Sequence, residues 1–262
     1  MPELPEAETI ARSLAPHLTG CRVVAAEYPG ARVLRGAGNA PPPDLTGRSF
    51  TGVERYGKQL LLRLDGEDAI LVKLGMTGAL LLNAAPDAYT RAAFTLESGA
   101  RLLFRDIRQF GSLSFLRGEP GGLGPDPFDL TAAEFAPRLR AKQTRLKATL
   151  LNQQFLRGLG NIYVDEALFR ARLHPLTRAT RVAIPRAEAL HGAIVELLTE
   201  AIAERGSSIS DYVDGAGARG NFQNFHRVYG REGQPCAHCG GPIERLVVAQ
   251  RGTHICPVCQ TR

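Results

Sequence analysis

Cys236-Ala-His-Cys239 and Cys256-Pro-Val-Cys259 are separated by sixteen residues, and the stretch between them runs through Arg245-Leu-Val-Val-Ala-Gln250, Arg251-Gly252 and Thr253-His254-Ile255. The apolar and polar residues read as two short strands around a turn at Arg251-Gly252, which brings the two Cys-x-x-Cys pairs together. Four thiolates in a tetrahedron are what a structural zinc ion requires. Two disulfides, or a redox Cys-x-x-Cys, are the competing uses of these residues. Disulfides call for an oxidising compartment, and a redox motif has no reason to occur twice within about 30 residues. The reading is a zinc ribbon over 229–262 holding one structural Zn2+ on Cys236, Cys239, Cys256 and Cys259. Such a site folds a small module, performs no chemistry itself, and often presents basic residues to nucleic acid.

Charge points the same way. The 262-residue chain carries a formal +6, unevenly spread. Residues 1–130 hold 14 Lys+Arg against 15 Asp+Glu, and residues 131–262 hold 18 against 11, so the excess lies in the half that contains the ribbon. A polyanion is the simplest partner for such a surface. No run of about 18 apolar residues is present, which excludes a membrane-spanning helix. The first residues are acidic (Glu3, Glu6, Glu8) and do not resemble a secretory leader, so a reducing cytoplasm is expected. Cys21, outside the ribbon, is expected to be a small buried apolar residue.

Working back from the ribbon, Gly206 to Phe222 is too rich in glycine for regular structure and reads as a mobile loop able to close over a ligand. Helical periodicity runs through 145–155, 162–172 and 186–205, and Thr131-x-x-Glu134 is a capping box. Gly118 to Pro127 is a Gly/Pro-rich stretch within a linker over 118–130. Ahead of it, closely spaced strand-like segments (59–64, 69–74, 79–82, 93–96, 101–104, 111–115) with no helix between them suggest an antiparallel sandwich. At the start, Ala7, Ile10, Ala11, Leu14 and Leu18 have helical spacing, and Gly20 follows as a stop. The expectation is an α+β multidomain chain: a β-sandwich with a flanking helix over 1–117, a helical domain over 131–228 and the ribbon.

The first residues, Met1-Pro2-Glu3-Leu4-Pro5-Glu6, carry candidate chemistry. A small second residue permits removal of Met1, leaving Pro2 as a secondary amine. Such an amine adds to a sugar aldehyde carbon to give an iminium, an electron sink for elimination. Glu3 and Glu6 stand beside it as acid–base groups. Proline and glutamate at a helix start are also ordinary capping residues.

Pro2-Glu3-Leu4-Pro5-Glu6-x-Glu8-Thr9 resembles the opening of the formamidopyrimidine-DNA glycosylase family. Gly57-Lys58, Leu74-Gly-Met-Thr-Gly78, Asp106-Ile-Arg-Gln-Phe-Gly111, Gly158-Leu-Gly-Asn-Ile-Tyr163-x-x-Glu166 and the ribbon with Gln250-Arg-Gly-Thr-His254 follow in the family's order across the whole chain. The resemblance implies a helix-two-turn-helix domain and a bifunctional glycosylase and abasic-site lyase for oxidised purines, formamidopyrimidines and 8-oxoguanine among them. By resemblance Pro2 is the nucleophile, Glu3 the proton-transfer group in sugar opening, and Lys58, Asn161 and Arg251 the phosphate clamps. Met76, Arg108 and Phe110 fill the space left by an everted base. Tyr163, Lys147 and Arg91 are implied as further DNA contacts, and Glu6 and Glu166 as supporting groups. The implied partner is double-stranded DNA containing oxidised bases or abasic sites, bound by a monomeric, nucleoid-associated enzyme.

Three positions depart from the pattern: Lys73 where histidine is common, Gln109 where a second arginine is common, and Ser210 where some relatives carry lysine. These bear on preference for lesion and opposite base. An endonuclease VIII-like enzyme for oxidised pyrimidines is the neighbouring reading, disfavoured by Leu4 and by the Arg108/Phe110 pair. A non-catalytic zinc-ribbon DNA-binding protein explains the cysteines and the basic half but not the first eight residues.

Overall fold

The computed structural model describes residues 2–35, 42–209 and 211–262. Met1 and Ser210, which entered the sequence reading, lie outside them. The chain divides into two compact units, one of Met1–Gly121 with Glu204–Asn221, the other of Gly122–Ala203 with Phe222–Arg262.

The first unit opens with α1 (Leu4–Leu18), whose N-cap Glu3 and N3 residue Glu6 form a capping box. Among the described residues nine strands follow: β1 (Val23–Glu27), β2 (Leu34–Arg35), β3 (Phe50–Tyr56), β4 (Gln59–Leu64), β5 (Asp68–Lys73), β6 (Gly78–Leu82), β7 (Thr90–Leu96), β8 (Arg101–Asp106) and β9 (Ser112–Arg117). They make two sheets, in the orders β1-β7-β8-β6 and β2-β9-β5-β4-β3. All pairs are antiparallel except the two-residue pairing of β2 with β9. Alternate residues of both sheets (Phe50, Leu60, Leu62, Ile70 and Val72; Phe94, Leu102 and Phe104) share one core with Ile10, Leu14 and Leu18 of α1. This period of two makes a sandwich, because each strand buries one face. Cys21 is only half-buried, its thiol donating to the His17 carbonyl at 3.3 Å.

The glycine-rich stretch 206–220 is not a free loop. Ser207 N donates to Glu6 Oε1 at 2.7 Å, Gly215 N to Ser13 Oγ at 3.1 Å, and Leu82 N to the Gly215 carbonyl at 2.9 Å. Buried Asp214 accepts from the amides of Ala216 and Ala218 and pairs with Arg205. The glycines here permit close approach: a Cβ on Gly215 meets the Leu14 side chain at 2.5 Å. This stretch therefore belongs to the sandwich unit, not to the helical region that precedes it in sequence.

The second unit contains α2 (Ala132–Arg140), α3 (Leu146–Leu151), α4 (Asn161–Arg170), α5 (Ile184–Ala203), β10 (Glu244–Val248) and β11 (Arg251–Ile255). The Thr131/Glu134 capping box is present, with both reciprocal bonds. Apolar positions of α5 at 187, 190, 194, 197, 198 and 201 are buried, and α5 packs on α2 and α4. The expected linker is divided by its hydrogen bonds and ion pairs. Gly118 N bonds the Glu67 carbonyl in the first unit, whereas Gly124 N bonds the Gln153 carbonyl and Asp126 pairs with Arg157 in the second. No helix among the described residues is long and apolar enough to cross a membrane.

Candidate active site and nucleic-acid contacts

Pro2 is buried and leads directly into α1. Glu3 and Glu6 are also buried, at 4% and 2% exposure, which is costly for carboxylates unless they are satisfied. Glu6 accepts from Glu3 N at 2.8 Å and, from the folded-back loop, Ser207 N at 2.7 Å. One carboxylate thus fixes both the first turn of α1 and the loop against it. Gly206, at φ +75°, is required there, since a Cβ would lie 2.7 Å from Glu6 Oε1. Glu8 anchors the next turn through Arg55 Nε at 2.8 Å, on strand β3. Burial works against the Glu8 charge, but its bonds to Arg55 and Arg12 prevail and hold the carboxyl below its usual range. Lys58 is half-buried on the two-residue turn that joins β3 to β4, where Gly57 takes φ +65°.

Met76, Arg108 and Phe110 come together on two adjoining loops. Arg108 Cζ sits 4.5 Å from the centre of the Phe110 ring, and its Nη1 donates to Met76 Sδ at 3.5 Å. Met76 is 46% exposed and Phe110 56%, so these apolar side chains are displayed rather than packed in the core. The residue beneath them is Asp106, which is fully buried. Its carboxylate accepts from Thr77 Oγ1 at 2.6 Å and Gly111 N at 2.8 Å, and Thr77 Oγ1 in turn accepts from Arg108 N at 3.1 Å. Glycine allows the two loops to touch: a Cβ on Gly75 would meet Gly111 N at 2.8 Å. Gln109, one of the departures, has φ +55°, a left-handed conformation that presents its neighbours on either side. Arg91 is occupied within the fold, donating from Nε to the Asp106 carbonyl at 2.9 Å and from Nη1 to that of Ala88 at 3.3 Å.

In the second unit, the turn before α4 is held by a residue the sequence did not single out. Gln153 donates to the carbonyls of Leu151 and Leu159 at 3.0 and 2.8 Å and accepts from Gly158 N at 2.9 Å. Gly158 takes φ +99°, and α4 begins at Asn161. Asn161 Nδ2 donates to the Gly252 carbonyl at 2.9 Å, tying the helix start to the ribbon hairpin. An amide nitrogen carries two hydrogens, so this bond uses one donor.

The hairpin differs from its sequence reading in one respect. Val248 pairs with Arg251, so the turn is Ala249-Gln250, both residues left-handed at φ +50° and +59°. Arg251 is therefore the first residue of β11, exposed beside the turn rather than in it.

Two residues implied as DNA contacts are interior. Lys147 is fully buried, its Nζ 2.6 Å from Asp165 Oδ1 and 3.2 Å from the Gly252 carbonyl, while Asp165 Oδ2 accepts from His254 N at 2.9 Å. This lysine neutralises a buried carboxylate and positions the hairpin; it offers no charge to solvent. Tyr163 is likewise fully buried, against Phe222 at 5.9 Å. Helical position explains both burials, since each lies on the face its helix turns inward. Glu166 is buried and accepts from the amides of Arg227, Val228 and Tyr229 at 2.8–3.0 Å, which braces the segment entering the ribbon.

The four ribbon sulfurs lie within 4.8 Å of one another. Cys239 and Cys256 Sγ are 3.4 Å apart and Cys236 and Cys259 Sγ 3.9 Å, close to the roughly 3.8 Å edge of a tetrahedron with 2.3 Å zinc–sulfur bonds. Backbone N–H groups of His238 and Cys259 point at Cys236 and Cys256 Sγ. Burial, then the neighbouring thiols, pushes Cys259 up to about 12. A divalent cation is what makes four thiolates compatible at this spacing. The residues fit one structural zinc.

Comparison with known proteins follows these features segment by segment. Residues 1–113 match the formamidopyrimidine-DNA glycosylase N-terminal domain, 123–213 its H2TH domain, and 233–262 the zinc finger found in FPG and IleRS. This chain belongs to the formamidopyrimidine-DNA glycosylase family. A formamidopyrimidine-DNA glycosylase of Solibacter usitatus is 48% identical over the whole of both chains. One from Chloroflexus aggregans is 44% identical, covering 99% of this chain and 98% of its own. Among solved structures, the MutM (Fpg) protein of Thermus thermophilus has a TM-score of 0.87 at 41% identity over 99% of this chain and 98% of that one. The Lactococcus lactis Fpg in complex with DNA containing N7-benzyl-Fapy-dG has a TM-score of 0.89 at 31% identity over the full length of both. Within the family frame, Asp106, Gln153 and Asp165 emerge as the residues that hold its motifs in place. Only burial and hydrogen bonding reveal them, because an acidic or amide side chain inside a motif carries no sign in sequence of whether it faces in or out.

Proposed function

We propose that the chain is a bifunctional DNA glycosylase and abasic-site lyase of base excision repair, acting on oxidised purines in duplex DNA with Pro2 as nucleophile. Glu3 transfers a proton to O4′ as the sugar ring opens, and the Pro2 nitrogen forms a bond to C1′ as the damaged base departs. The resulting iminium withdraws electrons from C2′, so loss of a C2′ proton expels the 3′ phosphate. A second elimination along the conjugated chain expels the 5′ phosphate. The observation that carries this reading is the start of α1, where Pro2, Glu3 and Glu6 are buried together and Glu6 is held by two backbone donors.

Lys58, Asn161 and Arg251 are assigned to backbone phosphates and so to positioning, while Met76, Arg108 and Phe110 enter the stack. Exposure of that trio, and the cation stacked on its ring, support the wedge over a core role. The Lactococcus lactis relative is known in complex with Fapy-dG and abasic-site DNA, which favours the same partner here. The full-length relatives are named for formamidopyrimidine, a ring-opened purine, which favours the purine reading over oxidised pyrimidines. The test is excision on duplexes carrying a formamidopyrimidine, 8-oxoguanine or an oxidised pyrimidine. Release of the purine lesions with phosphate on both ends of the gap is expected. Base release without strand cleavage, or pyrimidine-only activity, overturns the proposal.

A further inference from the structure

Arg145 and Arg178 face each other on two extended segments of the helical unit, outside every motif discussed above. Leu146 N donates to the Thr177 carbonyl at 2.8 Å and Ala179 N to that of Thr144 at 3.0 Å. These bonds flank an antiparallel bridge between Arg145 and Arg178, so the two arginines form its non-hydrogen-bonded pair. Pairs of that kind have the closer approach, with Cα atoms about 4.5 Å apart. Like charges directly opposite in such a pair are destabilising. Among the described residues neither guanidinium makes a hydrogen bond or an ion pair, and both side chains are exposed. Lys147 N to the Pro175 carbonyl, at 3.2 Å, holds the segments further in register, so the pair cannot separate by sliding.

The two arginines line a cleft of about 400 Å³ with Gln143, Thr144, Ala148, Val248 at the end of β10 and Ala249 of the ribbon turn, and among the described residues no acidic side chain lines it. The cleft is cationic and reaches Ala249 of the turn next to which Arg251 stands. Guanidinium groups match phosphate oxygens in two-pronged geometry, and a phosphodiester held between them would relieve their repulsion.

We propose that the Arg145–Arg178 cleft is an accessory phosphodiester site, which seats a DNA backbone phosphate beyond those held by Asn161 and Arg251. The assignment rests on the DNA reading above. It extends the footprint without touching a base, so it adds affinity equally to damaged and undamaged DNA.

The experiment measures binding of lesion-containing and plain duplexes by wild type and R145Q/R178Q across a salt series, beside borohydride trapping of both proteins. Each phosphate contact contributes about 0.9 to the slope of log K against log salt, or roughly eightfold in affinity at 0.1 M salt. Loss of about that much slope is expected, equally for both duplexes, with trapping at saturating enzyme unchanged and with R145K/R178K restoring the slope. R178Q alone, which leaves the start of α3 intact, is expected to lower the slope as well. Since the pair is repulsive, melting temperature at low salt should stay level or rise in R145Q/R178Q. An unchanged slope alongside normal trapping overturns the cleft assignment and leaves the enzymatic reading standing. A wild type that neither traps nor binds duplex removes both. If inorganic phosphate raises the wild-type melting temperature and not that of R145Q/R178Q, while duplex slopes agree, the cleft serves a small free anion and the proposal fails.

Discussion

Asp106 is where a single residue decides the geometry of the proposed wedge. Its carboxylate joins the loop of Met76 to that of Arg108 and Phe110 through Thr77 and Gly111, at a fully buried position. D106A leaves both donors without a partner, at a cost of about 1–3 kcal/mol. Urea denaturation is expected to show that loss. Excision from duplex is expected to fall well below cleavage of a single-stranded abasic site, where nothing needs unstacking; equal losses on both substrates would mean that the loops do not form a wedge. At this scale the sequence was legible where a residue type is itself the chemistry, as with the four clustered cysteines. It was misleading at Lys147 and Tyr163. The resemblance implied Lys147 as a DNA contact, yet Asp165, eighteen residues away, turns it inward.

Elements were legible to within a few residues, since capping and periodicity are local. The Thr131 capping box and the strand at 59–64 stand where the pattern places them. The ribbon turn does not, because the pairing of Val248 with Arg251 rests on left-handed Ala249 and Gln250, residues with no turn signature. In the segment leading into the ribbon, His226 packs between the rings of Phe222 and Tyr229, at 5.8 and 5.7 Å. Burial pushes its imidazole down to about 4, against a backbone bond at Tyr229 that favours the charged form. The unfolded chain binds the proton first, near pH 6.5, so stability from neutral His226 is present above 6.5 and declines as pH falls toward 4. At about 1.4 kcal/mol per pH unit the total is at most roughly 3 to 4 kcal/mol. H226Q is expected to flatten the fall in urea midpoint between pH 6.5 and 4; an unchanged pH profile would assign the fall to other groups. The metal belongs to the same element. C239S is expected to release zinc, loosen the β10–β11 hairpin and weaken duplex binding, read by metal analysis and fluorescence anisotropy. Full zinc content with normal binding would contradict the four-cysteine site.

At the scale of the whole molecule, the order of motifs along the chain carried the family, and the comparisons bear it out over its full length. Tertiary return was not legible. Residues 204–221 follow α5 in sequence, yet they fold onto α1 and β6 through Glu6, Ser13 and Leu82, bonds that span more than a hundred residues of chain and for which composition offers only glycine. That return completes the surroundings of Glu6 beside the proposed nucleophile, so the central claim concerns one atom, the Pro2 nitrogen. Borohydride reduction of the wild-type chain on an abasic duplex, followed by proteolysis and mass spectrometry, locates the adduct. The account expects the added deoxyribose mass on the N-terminal peptide, at Pro2, with no adduct from a chain that retains Met1. Sugar mass on a lysine such as Lys58, or an equal yield from the chain retaining Met1, would contradict it.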